Sequence, residues 1–138
     1  MRELHLPYGR AYAPEAGIIV LEANDAVHVE VKEGERGWRM YRTLHESAYT
    51  LIVNRINVYS FDVIAWRSIC CDPRLQAVII VAYRPLTRTN AEHMERHFVN
   101  KPLHVVSDIA RAMDLARTYT CPQPADPPLV ARSLGRTG

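Results

Sequence analysis

Glycine is almost absent from the middle of this 138-residue chain. The six glycines are Gly9, Gly17, Gly34, Gly37, Gly135 and Gly138, so none lies between Trp38 and Leu134. A loop that cradles a phosphate group needs glycines where backbone amides approach the ligand closely. The sequence therefore excludes a Walker loop and a dinucleotide-binding fingerprint from this stretch.

Strong charge of one sign and long apolar runs are also missing. Seventeen basic and fifteen acidic residues leave a net charge of +2, which is too small to attract nucleic acid or an anionic membrane by bulk charge. No apolar run approaches the roughly 18–20 residues of a membrane-spanning helix, and Met1–Pro14 lacks the pattern of a signal peptide. We expect a cytoplasmic protein that binds no nucleic acid and does not insert into a membrane.

Cysteine and metal-binding patterns are sparse as well. The cysteines are Cys70, Cys71 and Cys121, and adjacent cysteines do not easily bridge one another. The adjacent pair is not accompanied by a C-x-x-C motif that would complete a zinc signature. His93 and His97 have the i, i+4 spacing of two metal ligands but lack a compelling third ligand. We therefore expect free thiols, no metal and no cofactor.

Short apolar runs alternate with helical periodicities in the rest of the chain, which predicts an α/β fold in the order β-β-α-β-α-β-α-β-α. The first two strands, Gly17–Glu22 and Ala26–Lys32, are predicted to form an antiparallel hairpin. The later strands are predicted to run parallel and to pack against the helices that connect them. Those strands are Thr50–Val53, Ala77–Ala82 and Leu103–Val106, and the predicted helices are Glu35–Glu46, Ser60–Cys71, one opening at the capping box Thr89-Asn90-Ala91-Glu92 and one capped by Ser107.

The same patterns divide the chain into three parts. Residues 1–16 are predicted to be an N-terminal extension, residues 17–118 the folded domain and residues 119–138 a flexible tail. Four of the nine prolines follow Tyr119, where the apolar periodicity also stops.

Two stretches of the domain share a pattern with a known family. They are NRINVYSFDVIAWRSICCDPRLQAVIIVAYRP (Asn54–Pro85) and KPLHVVSDIARAMDLAR (Lys101–Arg117). Together they resemble the STAS domain, the fold of the anti-sigma-factor antagonists, and most of all the small bacterial SpoIIAA-like proteins often grouped with lipid-carrier CRAL-TRIO domains. The resemblance covers about Gly17–Thr118 and implies the fold more than an activity.

The resemblance also draws attention to Ser60. In the STAS family a phosphorylatable serine or threonine follows the third strand, within an Asp-Ser-Ser/Thr-Gly-like motif. Ser60 occupies that position, but the preceding aspartate and the following glycine are missing. We interpret Ser60 first as a helix N-cap, with a phosphorylation site as the alternative.

The carboxyl ends of the parallel strands are the predicted binding site, because open α/β sheets gather ligands there. Helix N-termini and guanidinium groups at this edge suit an anion, either a small ligand or an acidic side chain of a partner. The alternative is that these arginines are solvated surface charges. The candidate residues are Asn54, Arg55, Ser60, Arg84, Thr87 and Arg88.

No catalytic residue is predicted. G-x-S-x-G is absent, and the carboxylates of Glu92 and Glu95 are expected on a helix surface. We therefore expect a non-enzymatic STAS-like regulatory or interaction module that binds a protein partner or a small anionic ligand.

Two other functions stay open, as does self-association. One is a carrier of an apolar, lipid-like ligand, with an internal pocket lined by residues such as Trp38, Tyr41, Phe61 and Trp66. The other is a small enzyme with an unrecognised site. Pairing of two copies across the edge of the first hairpin would give a homodimer.

Overall fold

The computed structural model describes residues 2–120, which form eight strands and four helices. The strands are β1 (Arg2–Leu6), β2 (Gly9–Glu15), β3 (Ile18–Ala23), β4 (His28–Val29), β5 (Tyr49–Arg55), β6 (Ser60–Phe61), β7 (Leu75–Ala82) and β8 (Leu103–Val106). The helices are α1 (Val31–Tyr41), α2 (Trp66–Cys70), α3 (Pro85–His93) and α4 (Ile109–Thr120), and short 3-10 turns occupy Arg42–Leu44, Val63–Ala65 and Glu95–His97.

Six of these strands form one mixed sheet in the order β1-β2-β3-β5-β7-β8. The pairs β1–β2 and β2–β3 are antiparallel, whereas β3, β5, β7 and β8 run parallel to one another. Each parallel connection contains a helix, because a crossover is needed to return the chain to the same end of the sheet. The predicted α/β fold, with an N-terminal antiparallel hairpin followed by parallel strands, is confirmed.

Helices cover the sheet on both faces. Leu51 and Val53 of β5 belong to the core under α1, α2 and α3, whereas Ile52 packs with Ala112 and Ala116 of α4. Successive side chains of a strand point to opposite faces. Both faces are thus apolar, which explains why these strands read as continuous apolar runs.

The N-terminal hairpin lies earlier in the chain than the predicted one. Residues 1–16, expected as an extension, contribute β1 and β2, and β3 pairs with β2. Within Ala26–Lys32 only β4 is a strand, and it pairs parallel with β6 in a separate two-stranded sheet. The predicted hairpin of Gly17–Glu22 with Ala26–Lys32 is therefore wrong.

The turn at Asp25 and Ala26 explains this difference. Ala26 adopts a left-handed φ of 63°, and its N–H donates to the Val58 carbonyl at 2.6 Å. The Asp25 carboxylate accepts the Val58 N–H at 2.9 Å. These bonds tie the turn to the loop that follows β5, so the next residues run alongside that loop instead of folding back on β3.

Helices α1 and α3 both begin earlier in the chain than the sequence predicts. α1 begins at Val31 rather than Glu35, and the Glu33 carboxylate accepts the N–H of Glu30 at 3.4 Å in a capping-box arrangement. α3 begins at Pro85, whose fixed φ suits the first helical position. The predicted capping box of Thr89–Glu92 therefore lies inside a helix.

Ser60 is not a helix N-cap. It lies in β6, and Asp62 caps the turn that follows by accepting the N–H of Ile64 at 3.0 Å. At α4 the cap is Asp108 rather than Ser107, since its carboxylate accepts the Arg111 N–H at 2.7 Å. α4 continues to Thr120, so the first two residues of the predicted tail are helical. The rest of the tail, with Cys121, lies outside the described residues.

Candidate functional site

A cleft opens at the carboxyl ends of β5 and β7, between the loop after β5 and helix α3. Its inner hollow of about 290 Å³ is lined by Arg55, Tyr59, Ser60, Phe61, Val63, Asn90, Met94 and Glu95. Its outer hollow of about 140 Å³ is lined by Asn57, Val58, Arg84, Leu86 and Thr87, together with Arg55, Tyr59 and Asn90. The two hollows adjoin, because three residues line both of them. We call the two hollows together the carboxyl-edge cleft.

A buried ion pair lies at the centre of this cleft. Arg55 is the last residue of β5, and Glu95 is the first residue of the turn after α3. Both terminal nitrogens of the guanidinium donate to the two carboxylate oxygens of Glu95, and the side chains are 10% and 5% exposed. Trp66 Nε1 donates to the same carboxylate at 3.1 Å. Glu95 therefore neutralises Arg55 inside the cleft.

The surroundings of this pair keep Arg55 charged and Tyr59 neutral. Burial disfavours the guanidinium, but Tyr59 and Glu95 beside it raise the pKa of Arg55 above its ordinary value. Burial raises the pKa of the Tyr59 phenol, against the opposing effect of Arg55. The Nε of Arg55 finds no hydrogen-bond partner within residues 2–120. One buried donor of a residue that lines the cleft thus has no partner in the described part of the chain.

Ser60 is hydrogen-bonded to a residue that the sequence did not connect with it. The parallel pairing of β4 with β6 sets His28 directly opposite Ser60. The Nδ1 atom of His28 lies 2.6 Å from the hydroxyl oxygen of Ser60, and both residues are exposed. A serine that lines the inner hollow is therefore in contact with an imidazole.

Four of the six predicted site residues line the carboxyl-edge cleft, namely Arg55, Ser60, Arg84 and Thr87. Arg84 donates to the Ile56 carbonyl at 3.5 Å and forms no ion pair with a carboxylate in the described part of the chain. Arg88 lines neither hollow and instead pairs with Glu92 at 3.5 Å on the surface of α3.

Asn54 lies on the opposite face of the sheet from Arg55, because neighbouring residues in a strand point to opposite faces. Its amide donates to Glu22 at 2.8 Å, and its side-chain oxygen accepts the Tyr83 hydroxyl at 2.7 Å. Glu22 also accepts a hydrogen bond from Arg10 at 2.8 Å. The structure thus separates Asn54 from the cleft and places it in a polar network beside α4.

Glu95 is the main cleft residue that sequence reasoning missed. It was expected on a helix surface, but it is only 4% exposed, because α3 ends at His93 and the following turn directs Glu95 inward. Forty residues separate it from Arg55, so no local pattern links the two. Tyr59, Asn90 and Met94 were not among the candidate residues either, and no sequence signal singled them out.

The interior offers little room for an apolar ligand. Tyr41 and Trp66 are completely buried in the packed core. The enclosed space beside Phe61 and Trp66 measures about 10 Å³, which is about the room that one water molecule needs. A sizeable internal pocket lined by these residues is therefore not found in residues 2–120.

Metal-ligating clusters and membrane-spanning helices are both absent from residues 2–120. No group of three or more His, Cys, Asp or Glu side chains in residues 2–120 is arranged to hold a metal ion. None of the helices in this part of the chain combines the length and the apolar character needed to cross a membrane.

No family model, curated protein or solved structure matches the chain. The likeness to STAS domains therefore remains a prediction, and the cleft itself is the basis for a functional interpretation.

Proposed function

We propose that the chain is a cytoplasmic STAS-like interaction module that binds a protein partner through the carboxyl-edge cleft and its rim. The observation that carries the proposal is the position of the exposed apolar side chains. Within residues 2–120, every large apolar side chain that is exposed falls in segment 56–64 or segment 83–94. They are Ile56, Val58, Ile64, Tyr83, Leu86 and Met94. Three of them, Val58, Leu86 and Met94, line the cleft, and apolar side chains exposed at a cleft are typical of interaction surfaces.

Helix α3 supports this interpretation because it contributes little to the core. Only Ala91 of its nine residues is buried. Leu86, in its first turn, is 71% exposed and lines the outer hollow, as does Val58, which is 59% exposed. Leaving two such side chains exposed in one hollow forgoes the free energy of burying them, about 1.5–3 kcal/mol each. A partner that covers them would recover it.

Charge favours a partner segment in which an acidic residue lies next to an apolar one. Arg84 lines the outer hollow beside Leu86 and pairs with no carboxylate in residues 2–120. Arg55, in contrast, is already neutralised by Glu95. A small anion would therefore find one available guanidinium, whereas an acidic-apolar segment uses Arg84 and the apolar rim together.

The location and the regulatory role are part of the same proposal. Within residues 2–120, Cys70 and Cys71 form no disulfide, which is typical of proteins from reducing compartments. The regulatory role is what the STAS resemblance implies.

A displayed library of random peptides, selected on the wild-type protein, tests the proposal. We expect enrichment of peptides that combine an apolar residue with Asp or Glu. Leu86→Asp and Arg84→Glu should each weaken the selected peptides about tenfold or more, equivalent to about 1.4 kcal/mol.

The matched controls are Gln76→Asp and Arg39→Glu, which make the same kinds of charge change at exposed positions near the amino end of β7 and in the last turn of α1. Their affinities should stay within about twofold of wild type. Equal losses in the control and rim variants would contradict the proposal, as would a library from which no peptide is enriched.

A further inference from the structure

The two-stranded sheet of β4 and β6 places a histidine and a serine side by side with a fixed register. His28 and Ser60 are direct partners in the parallel pair. The N–H of Ser60 donates to the Val27 carbonyl at 3.0 Å, and the N–H of Asp62 donates to the Val29 carbonyl at 2.9 Å. These bonds on either side of the pair hold the two backbones together, and 32 residues of sequence separate the partners.

Burial alternates along these strands in a way that turns both side chains outward. Val29 is completely buried and Phe61 is partly buried against the same core. Because successive residues of a strand point to opposite faces, His28 and Ser60 share the outer face. Their contact, 2.6 Å from Nδ1 to Oγ, is therefore set by the pairing of the strands.

This contact has the geometry of a nucleophile with its base. A serine hydroxyl is a weak nucleophile until a base within hydrogen-bond reach, about 2.6–3.2 Å, can take its proton. When the imidazole proton is on Nε2, Nδ1 accepts the hydroxyl hydrogen of Ser60. Asp25 and Ala26, in the turn before His28, are hydrogen-bonded to Val58 in the loop before Ser60. These bonds hold the turn and the loop together.

The inner hollow supplies a place for a small acyl group next to this pair. Ser60 lines that hollow together with the apolar side chains of Phe61, Val63 and Met94. The side-chain amide of Asn90 belongs to the same lining and offers a donor to a carbonyl oxygen. The hollow thus combines apolar side chains with polar ones, among them the buried pair of Arg55 and Glu95.

We infer that Ser60, with His28 as its base, is a nucleophile that accepts an acyl group from an activated ester in the inner hollow. The hydroxyl oxygen of Ser60 forms a bond to the acyl carbon while its proton passes to Nδ1 of His28. The bond between the acyl carbon and the leaving oxygen then breaks, and His28 returns the proton to that oxygen. The products are O-acyl Ser60 and the free alcohol or phenol, with no change of oxidation state.

Acetylation by p-nitrophenyl acetate, followed by mass mapping of peptides over time, tests the inference. Ser47 and Ser107 are exposed serines in the same chain, and neither is hydrogen-bonded to a histidine in residues 2–120. They serve as internal controls. We expect Ser60 to be acetylated about 100-fold faster than either, the usual contribution of a positioned base.

Three variants complete the test. His28→Ala should reduce the rate at Ser60 to that of Ser47, and Ser60→Ala should abolish the fast release of p-nitrophenolate. Gln76→Asp, at an exposed position near the amino end of β7 that lines neither hollow, should leave the acetylation of Ser60 unchanged. Peptide binding and acetylation of Ser60 are measured separately, so this inference and the proposed function can fail separately.

Three results would overturn the inference. They are acetylation of Ser60 no faster than that of Ser47 and Ser107 in the wild-type protein, an unchanged rate at Ser60 in His28→Ala, and fast release that persists in Ser60→Ala. The first comparison needs no variant, so it stands even if a substitution disturbs the fold.

Discussion

Arg55 and Glu95 meet in the carboxyl-edge cleft as a doubly hydrogen-bonded ion pair, although forty residues of sequence lie between them. The pair joins the end of β5 to the turn that follows α3. Only Ala91 of α3 is buried, so the helix itself packs weakly. The ion pair therefore helps to hold α3 and the turn that follows it against the sheet. It also sets the charge of the cleft, since Glu95 neutralises the deeper of its two arginines.

The first prediction concerns this ion pair. Glu95→Gln keeps the shape of the side chain but leaves the guanidinium of Arg55 buried without a counter-ion. We expect the free energy of unfolding, measured with urea, to fall by about 3–5 kcal/mol. The control is Glu92→Gln, which breaks the exposed pair with Arg88, where the side chains are 41% and 45% exposed. That change should stay within about 0.5 kcal/mol, and a similarly small effect for Glu95→Gln would show that the ion pair does not hold α3.

The second prediction separates Asn54 from the binding site. Asn54→Ala removes one hydrogen bond to the buried carboxylate of Glu22, which keeps its bond from Arg10, and removes the acceptor of the Tyr83 hydroxyl. A hydrogen bond to a charged group contributes about 1.5–3 kcal/mol, so stability should fall by about this amount while the affinity for the selected peptides is unchanged. Tyr83→Phe removes one of the two hydrogen bonds and should cost about 1 kcal/mol. If Asn54→Ala instead lost peptide binding while keeping the stability of the wild type, Asn54 would belong to the binding site.

The third prediction concerns acid stability and rests on Asp72. Its carboxylate is fully buried and accepts hydrogen bonds from Arg42 Nε at 3.2 Å, the Tyr49 hydroxyl at 2.9 Å and the backbone N–H of Arg74 at 3.1 Å. Burial alone raises the pKa of this carboxyl. The hydrogen bonds from Arg74 and Tyr49, with the charges of Arg42 and Arg74, outweigh it and lower the pKa below its ordinary value.

A lowered pKa in the folded state stabilises the protein above the unfolded pKa of about 3.9, and this stabilisation is lost as the pH falls through the folded value. Asp72→Asn should therefore lower the free energy of unfolding at pH 7 by about 1.5–3 kcal/mol, because it weakens hydrogen bonds to a charged group. It should also flatten the loss of stability below about pH 4. Asp114→Asn, at a side chain that is 79% exposed, is the control and should retain the slope. An unchanged acid slope in Asp72→Asn would show that Asp72 is not the group responsible.

The parallel strands could be predicted because each is covered on both faces. β5, β7 and β8 coincide with the predicted apolar runs, and all residues of β5 are buried. Such strands can be recognised without knowing which strands they pair with, because both of their faces require apolar side chains. The predicted helix Glu35–Glu46 has a different signal, apolar residues at a period of 3.6, and Tyr41 and Leu44 in this segment are buried.

The ends of the elements could not be predicted in the same way. Ser60 and Asp62 are both residue types that cap helices. Ser60 is not the cap, because its backbone N–H is hydrogen-bonded to Val27 and it lies in β6. The alternating pattern of Ala26–Lys32 also fits a strand in the main sheet. The left-handed turn at Ala26 and its bonds to Val58 direct that segment elsewhere.

By itself, the sequence determined the α/β class, the parallel strands and the edge of the sheet at which Arg55, Arg84 and Thr87 gather, because burial periodicity and the carboxyl ends of strands follow from local pattern. Only the tertiary structure decided which side chains meet there. Arg55 with Glu95 and His28 with Ser60 are contacts between distant segments. Asn54 was separated from its neighbour Arg55 by the alternation of the strand. Such contacts depend on how the loops and helix ends cross the sheet, which periodicity does not specify.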